Sequence, residues 1–143
     1  MTKILTLPDE AATRALAASV GAQLQAGDLV YLSGELGAGK TTFAQELARA
    51  LGIKEDVTSP TFTLILEYES GRLPLLHCDA YRLEDLGSGE LADAGFFDFL
   101  ERRDAVRLLE WPEMVANFLT APNWKIEILF DGEARRASVW KSD

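Results

Sequence analysis

Gly34-Glu35-Leu36-Gly37-Ala38-Gly39-Lys40-Thr41 satisfies the pattern GxxxxGK[ST] in full, with Gly37 as an additional glycine. Glycines in such a stretch let the backbone curl around a pyrophosphate and turn successive N–H groups inward, a geometry that a Cβ would obstruct. The positive end of a following helix adds to those donors. In a loop of this kind the backbone of Gly37, Ala38 and Gly39 cradles the phosphates and Lys40 reaches the β- and γ-phosphates. The Thr41 hydroxyl takes one position on Mg²⁺, and Thr42 can bond the α-phosphate. A glycine-rich turn with a solvated lysine would satisfy the same letters, so the flanking sequence decides.

Upstream, Asp28 to Ser33 (DLVYLS) is a β-branched and aromatic run that ends directly in the glycines, and Lys40 to Leu51 has a helical pattern. Strand, loop and helix are the context that a phosphate cradle needs. They predict an α/β fold: a P-loop NTPase-like, three-layer arrangement with a central mixed sheet and flanking helices. Further out, KILTL at 3–7 reads as a strand, and Pro8, Asp9 and Glu10 as the turn and acidic start of a helix over Ala11 to Leu24. Leu16, Val20 and Leu24 fall on one face of that helix, and Gly27 closes the segment.

FTLILEY at 62–68 and LPLLHCD at 73–79 read as antiparallel strands, because the link at Ser70 and Gly71 is too short for a crossover helix. Leu83 to Leu100 reads as short helical pieces around Phe96, Phe97 and Phe99. AVRLLEW at 105–111 has the near-continuous apolar character of a strand buried on both faces, ended by Pro112. WKIEILF at 124–130 and ARRASVW at 134–140 form a hairpin signal across Asp131 and Gly132. With no repeat or low-complexity linker, residues 1–143 are expected to form a single domain.

Mg²⁺ keeps several waters, which carboxylates at the ends of neighbouring strands commonly hold. Asp79 follows the strand LPLLHC and Glu110 ends VRLLE, so both emerge where open α/β sheets bind ligands. The connector Thr58-Ser59-Pro60-Thr61-Phe62 is placed to act as a switch, although such sequences are more often plain turns. His77 on a buried strand reads as a hydrogen-bonded core residue and Cys78 as a small apolar one. Trp111 and Trp124 read as packing residues.

The chain of 143 residues, 48% hydrophobic and 26% charged, has ordinary globular composition. Its net charge of −9 argues against direct binding of DNA or RNA, since phosphates would repel it. Any contact with nucleic acid is expected through a partner or through a small local patch. A lone cysteine excludes an intramolecular disulfide and suits a cytoplasmic setting. No signal-like apolar stretch or run of roughly 20 apolar residues is present, so neither export nor a membrane span is expected.

Taken in series, Leu36-Gly37-Ala38-Gly39-Lys40-Thr41-Thr42, Ser59-Pro60-Thr61-Phe62-Thr63-Leu64, Glu67-Tyr68, His77-Cys78-Asp79-Ala80-Tyr81-Arg82-Leu83 and Glu110-Trp111 resemble the TsaE family, formerly YjeE, over nearly the whole chain. The resemblance implies a slow, Mg²⁺-dependent ATPase that serves formation of threonylcarbamoyladenosine at position 37 of tRNAs reading codons that begin with A. It implies TsaB and TsaD as partners, tRNA contact only through that complex, and no transfer of the threonylcarbamoyl group by this chain. By the same resemblance Lys40 and Thr41 keep their phosphate and metal roles, and Glu110 becomes a metal-side carboxylate. Asp79 becomes the acid of a second switch, and Thr61 the first switch residue. Glu10, within Pro8 to Glu10, and Arg135 flank the nucleotide. Glu35 stands where many members carry Asp, at a position whose backbone, not side chain, faces phosphate.

Two other readings use the same loop. A nucleoside or nucleotide kinase would need an acceptor site, for which Tyr81 and Arg82 are the candidates, in a chain short for an added lid. A nucleotide-regulated binding module would use ATP to control docking, with hydrolysis incidental. No NKxD segment is present to read guanine.

Overall fold

The computed structural model describes residues 2–35, 37–57, 65–81, 83 and 85–142. Seven strands form one mixed sheet: β1 (Thr2–Leu7), β2 (Leu29–Gly34), β3 (Ile65–Tyr68), β4 (Leu75–Asp79), β5 (Val106–Glu110), β6 (Trp124–Asp131) and β7 (Ala134–Lys141). Their order across the sheet is β1-β7-β6-β2-β5-β4-β3. Strands β6, β2, β5 and β4 run parallel; β7 is antiparallel to β6 and β1, and β3 to β4. The carboxyl ends of β1, β2, β4, β5 and β6 therefore share one edge of the sheet.

Helices α1 (Glu10–Gln23) and α2 (Lys40–Ala50) cover one face. Val20 and Leu24 pack there with Phe43, Leu47 and Leu51 against Val30, Leu32, Val106, Leu108 and Ile126. Gly21 lets the two helices approach, because a Cβ there would stand 2.6 Å from that of Ala50. The other face carries α3 (Ser88–Asp93), α4 (Phe96–Glu101) and a 3-10 segment, Pro112–Phe118. Phe96, Phe99 and Leu100 cover Leu29, Tyr31, Leu76, Cys78 and Leu109 on that side. Alternation along β2, β4 and β5 thus feeds two cores, as three layers require.

The segment boundaries follow local chemistry. Asp9 caps α1, its carboxylate accepting the Ala12 N–H at 2.9 Å, a contact worth about 1 kcal/mol. Strand β5 is buried at every position, matching its unbroken apolar run. The β3–β4 pair is antiparallel as its short link demands; positions 62–64 of the expected first strand lie outside the described residues. The hairpin closes one residue later than expected. Asp131 still pairs with Ala134, so the turn is Gly132 and Glu133, with Gly132 at φ 63°.

Candidate functional site

Gly34 ends β2 and Lys40 begins α2, so the glycine-rich stretch spans the gap between a central strand and a helix N-terminus. Gly37 and Gly39 have φ of 81° and 111°, left-handed values that favour glycine. Ala38 is buried, Thr41 is exposed and Thr42 is half-buried. Leu36 lies outside the described residues.

Lys40 is only 7% exposed. Its ammonium donates to the Gly34 carbonyl and lies 3.7 Å from the centroid of the Trp111 ring. Burial holds its pKa below the ordinary lysine value, and the negative charges of Glu110, Asp79 and Glu113 oppose that shift. In the sequence Trp111 reads only as a packing residue. Its role as a floor under Lys40 follows from a left-handed backbone, φ 57° and ψ 50°, at the end of β5. Such a conformation costs a bulky residue roughly 1–2 kcal/mol, and no sequence pattern announces it. Tyr81, 44% exposed, continues the aromatic surface with its ring 5.0 Å from that of Trp111.

The two expected carboxylates meet here. Asp79 is opposite Glu110 in the β4–β5 register, and Glu110 is opposite Leu32 in β2, two residues before the glycine-rich loop begins. Asp79 is half-buried and accepts the Tyr81 N–H at 3.0 Å. Glu110 is 4% exposed and is bonded by His77, Nε2 to Oε2, at 2.5 Å. His77 is a hydrogen-bonded core residue, as read, but its partner is one of the site's own acids. Thr61 and Arg82 lie outside the described residues.

On the other flank of the loop a cavity of about 240 Å³ is walled by Pro8 from the β1–α1 connection, Glu10 and Thr13 from the start of α1, Gly39 from the loop, Thr42 from the first turn of α2, and Arg135 from β7. Glu10 and Arg135, far apart in sequence, both line it. The Glu10 carboxylate also pairs with Arg14 one turn along α1. Phe130, 42% exposed, stands at the rim: the Arg135 guanidinium lies 4.2 Å from its ring centroid, and a Cβ on Gly37 would lie 3.8 Å from its tip. Phe130 escaped sequence reasoning because an aromatic on a hairpin strand carries no mark of which neighbour it will meet.

Thr41 in the first turn of α2 and Asp79 and Glu110 at the ends of β4 and β5 carry hard oxygen donors of the kind Mg²⁺ takes. No group of three or more His, Cys, Asp or Glu side chains gathers as a metal cage among the described residues. No helix among the described residues is long and apolar enough to cross a membrane.

Comparison with known proteins gives a consistent set of matches. The model of the family described as threonylcarbamoyl adenosine biosynthesis protein TsaE matches residues 7–138. The tRNA threonylcarbamoyladenosine biosynthesis protein TsaE of Bacillus subtilis (strain 168) is 41% identical over 129 residues, covering 90% of this chain and 77% of that protein. The protein of the same name from Nostoc sp. is 44% identical over 113 residues, covering 79% and 69%. Among solved structures, Bacillus subtilis YdiB superimposes with a TM-score of 0.76 at 32% identity, covering 100% of this chain and 87% of that one.

Proposed function

The chain belongs to the TsaE family of threonylcarbamoyl adenosine biosynthesis proteins, and from that premise we propose that it binds and hydrolyses ATP with Mg²⁺ at the β2–α2 loop, in the service of threonylcarbamoyladenosine formation on tRNA. The observation that carries the reading is the register that sets Asp79 beside Glu110 at the strand ends under Lys40. A positive charge on the loop and two acids on adjacent strands are the minimum that phosphoryl transfer to water needs.

In this reading the Gly37, Ala38 and Gly39 backbone and Lys40 hold the phosphates. Thr41, Glu110 and Asp79 hold the metal and its waters, and Thr42 steadies the α-phosphate. Bound Mg²⁺ supplies neutralisation of charge on the phosphate oxygens. Asp79, at the edge of the site, is placed to orient an attacking water, with Thr61 as the first switch residue. Glu10 and Arg135 line a cavity suited to the base and ribose. Turnover by the chain alone is slow, and a partner completes the site.

That partner is the TsaB–TsaD complex, which contacts tRNA and performs the transfer in the cytoplasm. A net charge of −9 supports indirect contact with tRNA. The test is ATP hydrolysis and tRNA modification with and without TsaB and TsaD. Lys40→Ala and Glu110→Ala are expected to abolish both. A Lys40→Ala chain that matches the parent in both assays overturns the assignment.

A further inference from the structure

We propose that His77 is a positioning residue that holds the Glu110 carboxylate in its metal-facing conformation, an inference that rests on the Mg²⁺–nucleotide reading above. By alternation His77 lies on the α2 face of β4 between Leu75 and Asp79, one pleat deeper than the acid at the strand end. In the parallel register it is opposite Leu108, which places it diagonally across from Glu110. Both side chains are nearly sealed from solvent, at 1% and 5% exposure.

A carboxylate oxygen only accepts, so the 2.5 Å contact is an N–H at Nε2 donating to Oε2. Among the described residues Nδ1 has no hydrogen-bond partner, as suits the ring nitrogen that carries no proton. Both observations select the same tautomer. The pair is charge-assisted and dry, hence strong and directional.

Its consequence concerns Lys40. The Glu110 charge acts on Lys40, yet among the described residues the two make no ion pair: Lys40 bonds Gly34 and Glu110 bonds His77. Without His77 the Glu110 carboxylate is free to turn towards the Lys40 ammonium, on which its charge already acts, and that turn takes the acid away from the metal. His77 keeps the two groups separate. A histidine that merely fills the core would have no such effect.

The test uses the full chain, with Mn²⁺ as the probe read by its electron paramagnetic resonance signal in the presence of ADP, and ADP affinity measured separately in EDTA. His77→Phe is expected to weaken Mn²⁺ binding by about 10–100-fold, the usual effect of losing an outer-shell hydrogen bond, while ADP affinity in EDTA is retained. His77→Gln, whose amide reaches the place of Nε2, restores most of the loss; His77→Asn, whose amide overlays Nδ1, does not. In a Glu110→Gln background His77→Phe has no further effect.

A folded His77→Phe that binds Mn²⁺ like the parent, or a further loss in the Glu110→Gln background, overturns the proposal. Should His77→Phe fail to fold, equal Mn²⁺ affinity for the Gln and Asn variants overturns it. A parent that binds ADP but no Mn²⁺ overturns the metal role of Glu110 together with that of His77. A parent that binds no ADP overturns the nucleotide reading itself.

Discussion

The ammonium of Lys40 lies 3.7 Å from the centroid of the Trp111 ring, and the indole is held there by a left-handed backbone at the end of β5. The lysine that should meet phosphate therefore rests on an aromatic face and the Gly34 carbonyl. Cation–π contacts of this kind contribute on the order of 1–2 kcal/mol when shielded from water.

Phosphate binding draws the ammonium off the indole, so nucleotide addition should change tryptophan emission. Trp124 begins β6 and Trp140 lies beside Lys125 near the end of β7, both at the opposite end of the strands from the loop, and each carries its own lysine contact. Titrating ADP into the parent and into Trp111→Phe checks this. The signal should vanish in the variant, and an undiminished change would show that the reporter lies elsewhere.

Lys40→Met should remove ATP hydrolysis without lowering the melting temperature. The side chain is buried and its pKa is held below the ordinary value, chiefly by desolvation. Its charge is thus a cost to the folded, unliganded chain. The sign is fixed by linkage: the cost is full below the folded pKa and fades as pH rises towards the unfolded value. Thermal melts should show the variant at or above the parent at neutral pH, with the gap narrowing in alkali.

The loop, its flanking strand and helix, and both acids were legible because each is a local pattern: glycine spacing, an apolar run, an acid at its end. Asp79 and Glu110 could be named without knowing that β4 and β5 are neighbours, yet only the register sets them opposite one another. His77 and Trp111 were legible as packing residues, without the partners they meet. Those contacts depend on which residue lies diagonally across a strand pair and on one backbone angle, neither of which a period of two encodes. The cavity joining Glu10 to Arg135 depends on β7 pairing with β1, a contact between the chain's two ends.

Cys78 should resist thiol reagents in the folded chain. Burial, then the charges of Asp79 and Glu110, push its pKa far above the ordinary range. A raised pKa favours the fold fully below the unfolded value, near 8.5, and that contribution is lost as pH rises past it. Labelling at mildly alkaline pH should follow the unfolded population across a urea titration. Rapid labelling without denaturant would contradict the burial.

Gly34→Ala tests the strand end that launches the loop. Gly34 has φ 151°, and a Cβ there would stand 2.3 Å from the Ile128 carbonyl oxygen of β6. Either β6 or the loop must move, at a cost on the order of 3 kcal/mol. Gly87→Ala, where nothing lies within 4 Å, is the control and should change stability by less than about 0.5 kcal/mol. Denaturant midpoints measure both.

The cavity beside the loop separates recognition of the base from recognition of phosphate. Arg135 lies 4.2 Å from the Phe130 ring centroid, and the pair stands beside Gly37 on the flank away from Trp111. A planar base entering there would gain an aromatic or guanidinium face worth about 0.5–2 kcal/mol. Phe130→Ala and Arg135→Ala should therefore weaken ADP by roughly 3–30-fold, that energy expressed as affinity. Tripolyphosphate, which has no base, should bind the variants like the parent. Calorimetric titration of both ligands decides: parallel losses would mean that the hairpin shapes the loop and does not read the base.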